Sequence, residues 1–171
     1  MSNVEHPAAD LKTSIHSLVT ALGAPTAGER IRARKHLVEI GVPAVPQLIQ
    51  ALGSEEELVR FEAAKVLGEV RDPRMISALV EALYDPSAGV RWLVAEALGA
   101  QGPAAVTPIL AAVQHDSQSN AFCDAAHHAL HELACGDLQE PLAPVLDALG
   151  SLDSGVRAPI AAGEALKKLG G

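Results

Sequence analysis

The chain has very few aromatic side chains, and this scarcity narrows the choice of fold. Phenylalanine, tryptophan and tyrosine make up only 2% of the 171 residues, whereas apolar residues as a whole make up 49%. Alanine, leucine and valine must therefore fill the core, which favours closely packed helices over a β-sandwich built on aromatic pairs. A charged fraction of 20% argues against a disordered chain.

Positive charge and cysteine are scarce as well. The chain has 13 basic and 21 acidic side chains and a net charge of −8, so it lacks the basic surface that binds duplex nucleic acid. Cys123 and Cys135 are too few for a disulfide scaffold. No apolar run approaches the roughly 18 residues of a membrane span, and residues 1–7 do not resemble a signal peptide. We therefore expect a soluble, cytoplasmic protein that binds neither nucleic acid nor membrane.

Internal repetition is the strongest pattern in the sequence. Residues 59–68 and 90–99 both read V-R-x-x-x-A-x-x-L-G. A similar apolar pattern recurs in residues 30–40, 122–133 and 156–169. Each of the first four copies is followed by a break that contains proline or glycine: Pro43, Pro73, Pro103 and Gly136. A second apolar segment follows each break, so the repeating unit has two parts.

The spacing of the apolar residues predicts pairs of amphipathic helices. Apolar side chains recur at intervals of three and four on both sides of each break. A single pair cannot bury its apolar face, so neighbouring pairs must stack. We expect an all-α fold, an α-solenoid of stacked antiparallel helix pairs with about four to five repeats in one domain. The predicted segments are a flexible N-terminus at 1–9, a capping helix at 10–22, helix pairs at 27–52, 55–84, 87–115 and 117–150, and a capping helix at 154–169.

These segments resemble the HEAT repeats, specifically the short bacterial type that also occurs in phycobilisome lyase subunits. The resemblance is carried by the V-R-x-x-x-A-x-x-L-G segments and by Asp72-Pro73, which leads to Ile76 and Leu79. It covers roughly residues 10 to 169. It implies a right-handed HEAT-like superhelix with half repeats at both ends. The resemblance also implies a binding surface, without naming the partner.

An arginine recurs at one position of the repeat, as Arg60, Arg91 and Arg157. Such a row is suited to clamping an anionic partner. The resemblance favours a structural role, in which each arginine bonds turn carbonyls or an aspartate of a neighbouring repeat. We therefore assign the row to stability.

A second recurring feature is a large apolar side chain, which helical phase places on the outward side of the first helix in each of three pairs. In the helix that opens at Val59, the residues facing the core are Val59, Ala63, Val66, Leu67 and Val70. At about 100° per residue, Phe61 lies nearly opposite this core, and Ile31 and Trp92 hold the same position in the flanking repeats. A row of exposed apolar side chains is typical of a protein-binding site. The alternative is ordinary packing against neighbouring helices.

The second helices are expected to line a groove on the other side of the array. Its polar residues are Gln47, Gln50, Ser77, Glu81, Thr107, Gln114 and Asp147. Such a groove suits a peptide or a basic helix of a partner protein. The alternative is that these side chains are only solvated.

Histidine is concentrated in the first helix of the fourth predicted helix pair. Asp124, His128 and His131 follow one another at one-turn spacing, and Cys135 continues the row. Imidazole, carboxylate and thiolate in this arrangement suit zinc or nickel. The alternative is a polar helix face that happens to be rich in histidine. His131-Glu132 also invites comparison with deoxyhypusine hydroxylase, but this chain has only one of the several His-Glu pairs of its di-iron site.

The sequence contains no catalytic motif of the serine-hydrolase, phosphate-loop or zinc-protease type. We therefore predict a non-enzymatic scaffold that binds a protein or peptide partner and has no cofactor. Two alternatives stay open. One is an enzyme or enzyme subunit similar to the bilin-chromophore lyases, which would bind a linear tetrapyrrole. The other is a metal-binding protein that uses the histidine-rich repeat.

Overall fold

The computed structural model describes residues 7–170, with side chains from residue 10, and every regular element in this range is helical. The ten α-helices are α1 (Pro7–Ala21), α2 (Ala27–Ile40), α3 (Val45–Leu52), α4 (Glu57–Glu69), α5 (Ile76–Ala82), α6 (Ala88–Ala100), α7 (Val106–His115), α8 (Asn120–Leu133), α9 (Gln139–Leu149) and α10 (Ser154–Lys168). The prediction of an all-α protein is confirmed. Of the N-terminus predicted to be flexible, residues 1–6 lie outside the described residues, and residues 7–9 belong to α1.

The chain divides into two compact units. Unit 1 ends at Val70 and unit 2 begins at Arg71. Within unit 1, α1 packs on α2, α3 packs on α4, and α2 lies against α4. Within unit 2, α5 packs on α6, α6 lies against α8, and α8 packs on α9. Stacked helix pairs therefore build each unit, as the repeat predicted.

Each core is made of aliphatic side chains, in keeping with the scarcity of aromatic residues. Leu67 in unit 1 and Leu98 in unit 2 are both completely buried. The main aromatic contribution is in unit 2, where buried Phe122 stacks on Tyr84 with ring centroids 4.2 Å apart. Alanine fills many of the other buried positions, which lets neighbouring helices approach closely.

The breaks between paired helices are short 3-10 turns: Val42–Ala44, Pro73–Met75, Gly102–Ala105 and Gly136–Leu138. Gly41 enters the first turn with a φ of 67°, a value that favours glycine. The turn after α4 has no such glycine; instead, the Asp72 side chain accepts a hydrogen bond from the Arg74 backbone N–H at 3.0 Å. Proline is the first or second residue of both turns, where its missing N–H costs nothing.

The last helix, α10, corresponds in sequence to the first helix of a pair but packs differently from α6 and α8. Whereas α6 and α8 pack against each other, α10 packs against α7 and α9. Its buried side is made of small residues, Ser154, Ala158, Ala162 and Ala165. Gly163 belongs to the same contact, because a Cβ placed there would lie 3.1 Å from Nε2 of Gln114 on α7. The small side chains of α10 therefore allow it to lie close against a second helix.

None of the described helices is long and apolar enough to cross a membrane.

Candidate functional site

The arginine row ties each first helix to the turn before it. Nη1 of Arg60 donates hydrogen bonds to the carbonyl oxygens of Ser54 and Glu55, at 2.9 and 3.2 Å. Arg91 does the same for Asp85 and Pro86, at 2.7 and 3.1 Å. The prediction of a structural ladder to turn carbonyls is confirmed for both residues.

The row has one member more than the sequence reasoning recognised. Arg30 donates to the carbonyl oxygens of Ala24 and Pro25, at 2.7 and 3.0 Å. Its spacing of 30 residues from Arg60 was the signal that could have found it. Arg157 follows the other predicted mode and bonds a carboxylate of the preceding repeat, with Nη2 2.7 Å from Oδ2 of Asp147.

Unit 1 carries a group of charges that we call the basic cluster: Arg30, Arg34, Lys65 and the buried Glu62. Nitrogen atoms of the three cations lie 3.0 to 3.7 Å from the two carboxylate oxygens of Glu62. One carboxylate balances only one of the three positive charges, so the cluster keeps an excess of positive charge. Sequence reasoning missed Glu62, because the equivalent residues of other repeats are not acidic.

The three apolar residues predicted on the outward side differ in exposure. Ile31 is 43% exposed and Trp92 is 56% exposed. Phe61 is half-buried, and Nζ of Lys65 lies 4.2 Å from its ring centroid, a cation–π contact. Ile31 and Phe61 belong to unit 1, whereas Trp92 belongs to unit 2.

Trp92 forms one wall of a cavity of about 240 Å³ between α6 and α8, which we call the indole cleft. The cleft is lined by Ala88, Arg91, Trp92, Ala95, Ala121, Asp124, Ala125 and His128. Four alanines leave space between the two helices, and the larger residues surround that space. His128 stacks on the indole of Trp92 with ring centroids 4.0 Å apart and the planes 22° from parallel.

The structure does not assemble the predicted metal ligands into a site. His128 is stacked on Trp92, and its Nε2 lies 3.8 Å from a carboxylate oxygen of Glu96. His131 instead neighbours His127, with ring centroids 6.2 Å apart. Among residues 10–170, no three His, Cys, Asp or Glu side chains are placed to hold a metal ion. Asp124, His128 and His131 share a helix face, but tertiary contacts turn the imidazole of His128 toward α6.

Two other side chains of this region have shifted pKa values. Burial, and then the neighbouring His131, lowers the pKa of His127 below its ordinary value of 6.5. Burial raises the pKa of the Cys123 thiol, and its Sγ donates a hydrogen bond to the carbonyl oxygen of Ser117 at 3.3 Å. Cys123 therefore stays a thiol at neutral pH, whereas Cys135 is exposed.

The polar residues predicted on the second helices line two separate cavities, one in each unit. In unit 1, Gln47 and Gln50 line a cavity of about 500 Å³ together with His16, Thr20 and Glu56. Nε2 of Gln47 donates to the carbonyl oxygen of Lys12 at 3.4 Å. Its Oε1 is buried and has no hydrogen-bond partner among the described residues.

The second of these cavities lies in unit 2 and measures about 560 Å³. Ser77 and Glu81 line it, with Pro73, Ile76, Val80 and Pro108. Gln114 does not join them, because α10 lies against its amide. The chain's own last helix therefore occupies space that the sequence assigned to a partner.

Comparison with known proteins identifies the repeat. A family model described as HEAT repeats matches residues 15–99 and again residues 45–130, so its matches cover more than half of the chain. The chain belongs to the HEAT-repeat family. No curated protein sequence matches this HEAT-repeat chain.

The HEAT-repeat chain is also similar to a solved structure, that of the complex of CpcE and CpcF of phycocyanin lyase from Nostoc sp. PCC7120. The two chains are 25% identical and superpose with a TM-score of 0.64. The alignment covers 90% of this chain and 98% of the Nostoc chain. The predicted resemblance to lyase-type HEAT repeats is confirmed.

This similarity corrects the prediction that the HEAT-repeat protein is not an enzyme. The similar chain belongs to a phycocyanin lyase, and the likeness extends over nearly the whole of both chains. The absence of catalytic motifs misled the sequence reasoning, because a subunit of an enzyme assembly need not carry such a motif. HEAT repeats are scaffolds for protein interaction, so binding a protein partner and serving an enzyme are compatible roles.

Proposed function

We propose that this chain is a protein-binding subunit of a lyase-type enzyme assembly, which acts on a bilin chromophore and on the protein that carries it. The observation that carries the proposal is the match to a chain of the phycocyanin lyase complex over 90% of this chain and 98% of that one. A likeness that includes nearly every helix supports a shared role more strongly than a likeness confined to one repeat.

The cavity of unit 1 supports binding of a small molecule such as a bilin. Its volume of about 500 Å³ falls in the range of about 300–1,000 Å³ that is usual for ligand pockets. The side-chain amides of Gln47 and Gln50 line the cavity, and amide oxygens accept hydrogen bonds from N–H donors. The pyrrole N–H groups of an open-chain tetrapyrrole are donors of this kind.

The basic cluster supports binding of an anion in the same unit. Arg30, Arg34 and Lys65 carry more positive charge than Glu62 neutralises. Guanidinium groups bind carboxylates through paired, charge-assisted hydrogen bonds. The propionate groups of a bilin, or acidic side chains of the protein that receives it, have the matching charge.

The role that these residues support is binding and orientation. Cys123 is buried, hydrogen-bonded and held as a thiol, so it is unsuited to attack a bilin. The side chains that line the unit 1 cavity are two amides, two hydroxyls, an imidazole, the carboxylate of Glu56 and apolar groups. Such a set orients a ligand by hydrogen bonds and excludes water from it.

Absorption spectroscopy tests this proposal directly. Phycocyanobilin is added to the purified chain, alone and together with apo-phycocyanin, and the visible band of the bilin is recorded. We expect a shifted band and a saturable titration, because binding extends and orients the flexible chromophore. Gln47→Ala should weaken binding, whereas Gln139→Ala removes an exposed amide outside the cavity and should leave binding unchanged. A bilin band that stays the same in both mixtures contradicts the proposal.

A direct binding measurement tests the protein-partner half of the proposal. Apo-phycocyanin is titrated into the wild-type chain in a calorimeter, and the titration is repeated with Ile31→Ser/Trp92→Ser. Both residues are exposed apolar side chains, so the double variant should fold and bind more weakly. Lack of any heat of binding with the wild type contradicts this half.

A further inference from the structure

The indole cleft of unit 2 differs in chemistry from the unit 1 cavity that is proposed to bind the chromophore. Alanines from α6 and α8 form its apolar floor. The indole of Trp92, 56% exposed, forms a flat wall. Its stacking with His128 at 4.0 Å fixes the orientation of the ring, so the wall is rigid before any ligand arrives.

Acidic groups flank this aromatic wall. Asp124 lines the cleft one helical turn before His128 and is exposed. Glu96 is also exposed. It does not line the cleft, but its carboxylate lies 3.8 Å from Nε2 of His128. Two carboxylates beside an exposed indole favour a cationic ligand.

Arg91, the basic residue that lines the cleft, is already committed to the fold. Its Nη1 donates to the carbonyl oxygens of Asp85 and Pro86 in the preceding turn. Asp85 also places a buried carboxylate in that turn. The guanidinium is therefore held at the start of α6. Asp124 is the acidic side chain that lines the cleft, and Glu96 adds a second carboxylate outside the lining.

The size of the cleft limits what it can hold. A volume of about 240 Å³ lies below the range of about 300–1,000 Å³ that is typical of small-molecule sites. It is large enough for one long side chain. A side chain delivered by a protein fits this volume better than a bilin does.

We propose that the indole cleft binds an arginine side chain of the protein partner, with its guanidinium stacked on the face of Trp92 that His128 does not cover and paired with Asp124. The inference rests on the protein partner of the proposed function and names the chemistry of one contact. Arginine can make both contacts, because its flat guanidinium stacks on an indole and forms paired hydrogen bonds with a carboxylate. The alanine floor takes up its aliphatic stem.

The single tryptophan of the chain supplies the readout. The full chain is labelled with ¹⁵N, and the indole N–H resonance of Trp92 is followed while a short peptide is added. The probes are acetyl-Ala-Arg-Ala-amide and the same peptides with lysine or glutamate at the centre. We expect a saturable shift with the arginine peptide, binding about fivefold weaker with lysine, and no saturable shift with glutamate.

Matched variants locate the contact. Asp124→Asn should weaken the arginine peptide about fivefold, and added salt should have less effect on this variant than on the wild type. Asp137→Asn removes an exposed carboxylate outside the cleft and should bind as the wild type does. Circular dichroism of each variant checks that the fold is intact.

Two outcomes overturn the inference. One is an equal shift of the indole resonance with the arginine and glutamate peptides, and the other is unchanged binding in Asp124→Asn. The calorimetric titration with apo-phycocyanin separates this failure from failure of the proposed function. If apo-phycocyanin binds the wild type and Asp124→Asn equally, the proposed function stands and the cleft is not the contact. If the arginine peptide binds but apo-phycocyanin does not, the cleft stands and its partner is a different protein.

Discussion

The basic cluster of unit 1 and the indole cleft of unit 2 occupy equivalent positions of the repeat but have opposite chemistry. Alignment of the two V-R-x-x-x-A-x-x-L-G segments places Lys65 opposite Glu96. In unit 1 the lysine joins two arginines around a buried carboxylate. In unit 2 the glutamate lies beside an imidazole that is stacked on an indole.

The difference teaches which parts of a repeat are constrained. Arg60 and Arg91 make the same pair of hydrogen bonds to turn carbonyls, so the tie between helix and turn is retained. The outward positions one turn later do not support that tie. They are therefore able to carry either charge without loss of the fold, and each unit can present a different surface to a ligand.

The largest expected losses of stability come from truncating buried leucines, because both units have an aliphatic core. Leu67→Ala and Leu98→Ala each remove a completely buried side chain, one from each unit. Each should lower the free energy of unfolding by about 2–5 kcal/mol, because a cavity replaces packed atoms. Chemical denaturation measures the loss, and Leu152→Ala, at a fully exposed leucine, serves as the control. A loss under about 1 kcal/mol in either unit breaks the equivalence of their cores.

The next effect separates the two charged surfaces. Glu62→Gln leaves Arg30, Arg34 and Lys65 without a counter-charge, so the variant should lose about 1–3 kcal/mol of stability. Glu96→Gln removes an exposed carboxylate and should cost less than about 0.5 kcal/mol. Denaturation of both variants side by side checks the contrast. Equal losses would mean that the burial of Glu62 has no energetic consequence.

The arginine row is expected to behave alike in the two units, except at the last helix. Arg60→Ala and Arg91→Ala should each cost about 1–2 kcal/mol, since each leaves two turn carbonyls without their charged donor. Arg157→Ala breaks an exposed ion pair with Asp147 and should cost about 0–1 kcal/mol. Thermal melting of the three variants ranks them, and an equally large loss for Arg157→Ala contradicts the distinction between turn ties and surface pairs.

The smallest effect is a pH dependence confined to one break between helices. Hydrogen bonds from the side chain and backbone of Arg74 hold the pKa of Asp72 below its ordinary value of 3.8. The stabilising contribution of Asp72 is therefore present above pH 3.8 and is lost as the pH falls through the folded-state pKa. Asp72→Asn should flatten the loss of stability below pH 4, as measured by denaturation at a series of pH values. Gly41→Ala, in the break of unit 1 that has no carboxylate, should destabilise the protein without changing its pH dependence. An unchanged acid profile in Asp72→Asn refutes the assignment.

The sequence predicted the repeat, the helix pairs and the arginine ties, because each depends on spacing along the chain. It also placed Ile31 and Trp92 on exposed helix surfaces, since helical phase follows from 3.6 residues per turn. The predicted metal ligands are not brought together, because their side-chain directions depend on contacts between helices. Spacing puts Asp124, His128 and His131 on one face, but the direction of the His128 ring depends on Trp92, which lies on another helix.

The last helix illustrates the same limit at the level of packing. Its apolar pattern predicted a helix at residues 154–169, and a helix is present. The apolar pattern does not determine which neighbouring helices α10 packs against. Gly163 and three alanines allow α10 to approach α7, and this contact places Gln114 against the chain's own helix.

The sequence by itself determined the all-α repeat architecture, since apolar residues at intervals of three and four leave one way to bury them. Tertiary structure alone decided the surfaces that bear on function. Arg34 reaches Glu62, and His128 stacks on Trp92, only because α2 lies against α4 and α6 lies against α8. Such contacts join residues about one repeat apart, and their geometry depends on how neighbouring helices pack, which periodicity along a single helix does not encode.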